Sequence, residues 1–386
     1  MRTTFVSPVL PTISGDQRRH PLIVADLWNY FWIEKVYVIP EPIDITRFCD
    51  ALAQTLSFFP TFAGRLQKDP QSLECWVELT NSPVPVMIET NSPSPPPPLG
   101  SPVVLKHLDP FISPLENTLL LNNDKPLVTI KLSSQPGSRE TVIGLAVSHM
   151  IADGYRMLRF THTLSQIYQG QLPEDPTPYY VPEPLPPSAS EIEQETPSPS
   201  AGPSFWSTRH FDPVEVQHHY KTDYFASSPV NISLSPTTLG KLKDFVSQAV
   251  KRLTARDGIP DLQSEILISR QDAISAYIVA TMNRFLPNAV TYVISNMNYR
   301  GMIPQVNVGT NATTFIQTPL LSPSEQRDIA SIALALRYSI SRARKPDQIL
   351  SDLTFAQKCM LEAFSRGRVY VIVPPSDAAL VNGNAQ

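Results

Sequence analysis

The chain has 386 residues, 42% of them hydrophobic, more than one hydrophobic core usually organises, so two domains are expected. A formal net charge of -4, with Lys and Arg dispersed, excludes nucleic acid as the main partner. Three widely spaced cysteines, Cys49, Cys75 and Cys359, fit a reducing, cytoplasmic setting better than a disulfide framework, and no apolar stretch approaches the roughly 18 to 20 residues of a membrane span.

Along the chain, "DITRFCDALAQTLSFFPTFAGRL" (44 to 66) places Ile45, Phe48, Leu52, Leu56 and Phe59 at helical spacing, with Asp44 as N-cap and Pro60 closing the segment. "NSPSPPPPLG" (91 to 100) reads as an extended loop. "PLVTIKL" (126 to 132) and "ETVIGLAVS" (140 to 148) are β-branched and apolar, and predict buried strands. A second helix follows from Asp153 as N-cap, with Met157, Phe160, Leu164 and Ile167 as its stripe and Gly170 as its end. Residues 171 to 204 carry ten prolines in 34 positions, too many for a helix, and predict a surface crossover between domains at 1 to 170 and 205 to 386. Beyond it, Ser235 and Pro236 open a helix with Leu239, Leu242, Val246 and Val250 on one side; Ser269 and Asp272 form a capping box for another. "AVTYVISNMN" (289 to 298) reads as a strand, "RVYVIVPP" (368 to 375) as an edge strand, and the tail after Pro375 as frayed.

His149 sits where the strand from Thr141 meets the helix capped by Asp153, in "SHMIADG". A histidine at a strand's carboxyl end is rigidly held yet can face a crevice. A metal site needs three or four ligands, and His149 with Asp153 supplies two; no metal is expected. A Ser-His-Asp hydrolase needs a nucleophile elbow such as G-x-S-x-G, and the chain has none. A packed structural histidine is the remaining alternative, and it is the reading adopted for the other histidines.

"HMIADG", "LSFFPTFAGRL", "ISRQDAISAYIV" and "NMNYRGMIP…VGTNA" stand in the order and approximate spacing of the BAHD family of CoA-dependent acyltransferases, and the chain resembles its fungal members. The resemblance implies an α/β fold of two chloramphenicol-acetyltransferase-like domains, each a mixed sheet with flanking helices, and a tunnel at their interface. It implies acyl-CoA, acetyl-CoA for example, as co-substrate rather than a permanently bound cofactor, and a small-molecule acceptor on a monomeric enzyme. His149 would be the general base; Asp153, paired with Arg300, would fix the loop that bears it, and Gly154 would permit close backbone approach behind it. Two departures stand out. The family's N-x-R-x-R is reduced to Asn298, Arg300 and Met302, and no D-F-G-W-G is present. The second implies a wider CoA side with a dissociation constant above about 100 μM.

Three functions are compatible with these residues. The first is acyl transfer from acyl-CoA to a hydroxyl or amine of a small secondary metabolite. The second is a cyclase or product-offloading enzyme that keeps the histidine and acts on a polyketide-like substrate without CoA. The third is a catalytically silent binding protein.

Overall fold

The computed structural model describes residues 1–10, 18–29, 31–97, 108–113, 121–174, 210–212, 232–256, 267–303, 311–371 and 377–381, with isolated positions from 215 to 230. All but the first four residues of the expected crossover lie outside them, as do positions 98 to 100 of the proline loop. In chain order the elements begin with β1 (Arg2–Val6), β2 (Arg19–Pro21), α1 (Val24–Leu27), β3 (Trp32–Ile39), α2 (Ile45–Phe58), β4 (Arg65–Lys68), β5 (Cys75–Glu78) and β6 (Val84–Glu89). They continue with β7 (Val128–Ser134), β8 (Thr141–Ser148), α3 (Gly154–Tyr168), β9 (His210–Phe211), α4 (Pro236–Arg256) and α5 (Arg270–Phe285). The last are β10 (Tyr292–Asn298), β11 (Thr313–Gln317), α6 (Ile329–Ala343), α7 (Pro346–Ser365), β12 (Val369–Tyr370) and β13 (Ala378–Val381). Among the described residues no helix is long and apolar enough to cross a membrane.

The largest sheet has the order β1-β6-β7-β8-β3, antiparallel except between β6 and β7. Strand β8 is buried along almost its whole length because β7 and β3 flank it. A near-continuous apolar run is what such a strand requires. The sheet that carries β10 has the order β11-β10-β13.

The helices start where their sequences say they should. Asp44 accepts from the Arg47 N–H at 3.1 Å, Asp153 from Arg156 at 2.9 Å and Ser235 from Thr238 at 3.1 Å. Ser269 and Asp272 form the reciprocal box expected of them. After α3, Gly170 adopts a φ of 77°, a left-handed conformation that glycine enters without a Cβ penalty.

Two hydrophobic clusters form the core. The second is built from α4, α5, α6 and β10, through Val246, Val250, Ala276, Val279, Val293 and Leu336. The first surrounds Leu52, Phe62, Val147 and Phe160, and it also takes in Ile349, Leu353, Met360 and Phe364 of α7. Residues before position 171 and after position 204 therefore share one core.

The carboxyl end differs from the sequence expectation. Of the strand expected over 368 to 375, Val369 and Tyr370 pair with β9, while positions 372 to 375 lie outside the described residues; of the tail expected to be frayed, Ala378–Val381 form β13, parallel to β10, and 382 to 386 lie outside the described residues. Thr291 donates its backbone N–H to the Asp377 carbonyl and its hydroxyl to the Asp377 carboxylate, which anchors that strand. The period-2 pattern located strand-forming residues but not their partners, because pairing is decided by distant segments.

Candidate active site

Strand β8 delivers its carboxyl end to a turn held from both sides. The Ser148 N–H donates to the Leu127 carbonyl and the His149 N–H to the Phe31 carbonyl, each at 2.8 Å. The Ile151 N–H closes back on Ser148 at 3.1 Å, and α3 begins at Gly154. His149 is thus fixed by its backbone between a central strand and a capped helix. The residue as a whole is half-buried, while its ring Nδ1 is fully buried without a hydrogen-bond partner among the described residues, and the carbonyls of His149 and Ala152 lie near the ring. Burial lowers the imidazole pKa, and those two carbonyls and the Asp153 carboxylate oppose that shift without cancelling it.

Asp153 is 4% exposed and does two things with two oxygens. Oδ1 caps α3; Oδ2 meets Nη1 of Arg300 at 2.6 Å, across 147 positions of sequence, and accepts from the Ala312 N–H at 3.3 Å. Burial alone would raise this carboxyl, but the Arg300 guanidinium and the backbone donors outweigh it and hold the pKa below the ordinary value. Arg300 is placed by Asn298, whose carboxamide oxygen accepts the Arg300 N–H at 2.9 Å, and its guanidinium lies 4.8 Å from the centre of the Tyr155 ring. Gly154 occupies the first position of α3 and is not among the glycines with a left-handed backbone.

The sequence reading missed the polar residues beneath this pair. Asp26, His20, Arg156, Tyr299 and Asn311 are all buried. Asn311 donates from Nδ2 to the His149 carbonyl at 2.7 Å, and Arg156 donates to the Thr61 hydroxyl at 2.8 Å. Burial pushes the Asp26 carboxyl up to about 7, against the Ile23 and Asn311 N–H groups and the Arg156 charge. Burial, helped by Arg156, drives His20 down to about 3, so it is neutral near pH 7. One signal was available: Tyr299 and Asn311 lie inside "NMNYRG" and "VGTNA", beside residues already singled out. Asp26 and His20 had none, since an aspartate in "LIVAD" is indistinguishable from a surface cap by pattern alone.

No protein-family model and no curated protein matches the sequence. The fold does match solved structures. TRI101 of F. graminearum, complexed with coenzyme A and deoxynivalenol, superposes with a TM-score of 0.60 at 13% identity, over 94% of this chain and 83% of that one. TRI101 of F. sporotrichioides, complexed with coenzyme A and T-2, gives 0.58 at 12%, over 94% and 82%. Vinorine synthase gives 0.58 at 15%, over 99% and 82%. The chain has the BAHD acyltransferase fold. In this BAHD fold the strand and helix that hold His149 come from the amino-terminal half of the chain, whereas Arg300 and Asn311 come from the carboxyl-terminal half. The polar cluster therefore bridges the two. Among the described residues no group of three or more His, Cys, Asp or Glu is arranged to hold a metal ion.

Proposed function

We propose that the protein transfers an acyl group from acyl-CoA to a hydroxyl or amine of a small secondary metabolite, with His149 as general base. One observation carries the reading: His149 is held at the end of β8 by its backbone N–H on the Phe31 carbonyl, with Nδ1 buried and its own carbonyl close to the ring. A proton on Nδ1 leaves the lone pair on Nε2, and the lowered pKa keeps the ring neutral near pH 7. The fold supports it too, since the TRI101 structures hold coenzyme A together with a small-molecule acceptor.

The chemistry follows from that tautomer. Nε2 takes the acceptor's O–H or N–H proton while the acceptor's heteroatom attacks the thioester carbonyl carbon. The tetrahedral intermediate collapses by breaking its carbon–sulfur bond, and the departing CoA thiolate recovers the proton from the imidazolium. The products are an ester or amide and free CoA thiol, and no acyl-enzyme forms. A positioned base contributes about 100-fold to 10,000-fold. Asp153 and Arg300 would act by holding the turn that carries His149.

The test is thiol release from acetyl-CoA in the presence of a panel of alcohols and amines. His149→Ala should fold and lose at least about 100-fold in turnover. Near wild-type turnover in that variant would eliminate the mechanism. Conversion of a CoA-free substrate that depends on His149, with no thiol released, would move the function to the cyclase or offloading class.

A further inference from the structure

Asn311 is fully buried, and its amide reaches the turn that bears His149. Its Nδ2 donates to the His149 carbonyl at 2.7 Å, while its Oδ1 is buried with no hydrogen-bond partner. Its backbone is secured separately: the N–H faces the Asp26 carboxyl, and the carbonyl accepts from the Tyr299 hydroxyl at 3.4 Å. Another buried asparagine, Asn283, shows what a purely structural amide looks like. Its Nδ2 serves the Val290 and Gln326 carbonyls at 3.0 and 2.7 Å, and its Oδ1 accepts from Val290 at 2.6 Å. What Asn311 offers His149 is a donor from the other half of the chain, across 162 positions of sequence.

That donor ends on the His149 carbonyl. The carbonyl thus carries the Asn311 amide and lies near the ring as well. Fixing the carbonyl fixes the turn and the polar surroundings of the ring, and a carbonyl beside Nδ1 favours the tautomer that keeps its proton there. We propose that Asn311 is a positioning residue for His149, holding through the His149 carbonyl the ring orientation and tautomer that present Nε2 as the base. This rests on the acyl-transfer reading of His149.

The experiment uses the full chain with Asn311→Leu, which keeps much of the volume and removes the donor, and Asn311→Ala. Both should lower kcat at least about tenfold, with KM for acetyl-CoA and for the best alcohol of the panel changed less than about threefold, as expected when ground-state binding is untouched. Independently of activity, nitrogen NMR of the ring, assigned by loss of the signal in His149→Ala, should show the Nδ1–H tautomer in the wild type and a mixture in Asn311→Leu. A wild-type tautomer in Asn311→Leu, or a loss confined to KM, overturns the proposal. If neither Asn311 variant folds, Tyr299→Phe, which frees only the Asn311 carbonyl, should move the same resonances in the same direction; unchanged resonances and kcat overturn it. His149→Ala with wild-type turnover sinks the acyl-transfer reading. His149→Ala inactive beside a wild-type-like Asn311→Leu sinks the positioning role alone.

Discussion

Around His149 the decisive quantity is how each buried charge is compensated. Asp153 and Arg300 have side chains 5% and 8% exposed, so removing either leaves the other charged and poorly solvated. Breaking such a pair costs about 3–5 kcal/mol, and Asp153→Ala also loses the cap of α3, about 1 kcal/mol more. In urea unfolding the effects of Asp153→Ala and Arg300→Ala should be strongly non-additive in the double variant; additive losses would mean that the contact is energetically silent. Asp26 tests a different term. Its folded pKa of about 7 lies above its unfolded value, so between about pH 4 and 7 the folded chain binds more protons. Its stabilising contribution is complete at the acid end and lost as pH rises through about 7. Replacing it in Asp26→Asn should therefore become increasingly favourable relative to wild type from about pH 4 to 7 and level off above that, with a slope of up to about 1.4 kcal/mol per pH unit. A stability difference independent of pH would place the Asp26 titration elsewhere. His20 has the opposite sign, since its depressed pKa removes stability as pH falls from about 6.5 towards 3, but it is common to both proteins and cancels in the difference. Of these residues, Asp153 was legible as a cap, and His149 from its place between strand and helix. The contact of Asp153 with Arg300 has no local signature, and only the order of motifs pointed to it.

At the level of elements, β8 shows why a strand can hold the turn that bears His149 still. Gly144 lies at its middle, paired with Val36 and Lys131, and a Cβ there would collide with the backbone carbonyl of Phe111. Backbone cannot swing aside as a flexible side chain can. Gly144→Ala should destabilise by roughly 1–3 kcal/mol or more, read as a lower urea midpoint, and an unchanged midpoint would show that residues 109 to 111 yield freely. Sequence pattern was informative here in proportion to how locally each element is decided. Helices α2, α3, α4 and α5 were legible because caps and a 3.6-residue stripe lie within one segment. The short strands β9 and β13 were not, because two to four residues become a strand only when a remote edge, such as that of β10 for β13, is there to pair with them; β12 lay within the strand expected over 368 to 375, but its partner β9 could not be foreseen.

The described parts of the chain share a core, and α7 joins Met297, Tyr299, Ile316 and Tyr370 in supplying it from the carboxyl-terminal half. Helix α7 follows the second cluster in sequence, yet its buried face, Ile349, Leu353, Ala356, Met360 and Phe364, packs into the first cluster with Leu52, Leu66 and Val147. Composition and length suggested two domains, but they do not state which core the amphipathic face of α7 will choose, and residues 346 to 365 were assigned no element from sequence. The consequence is mechanical: a fragment ending near residue 170 would expose the apolar surface that α7 covers. Residues 1–170 alone should therefore show no cooperative urea transition. In the full chain, Leu353→Ala, at a site that is 0% exposed, should cost about 2–5 kcal/mol. That loss should shift the unfolding of the β8 and α3 region as much as that of α7 itself, followed by amide exchange in both. Cooperative folding of the fragment, or protection lost in α7 while β8 stays closed, would mean that the amino-terminal half stands alone and that the turn bearing His149 does not depend on the carboxyl-terminal half for its rigidity.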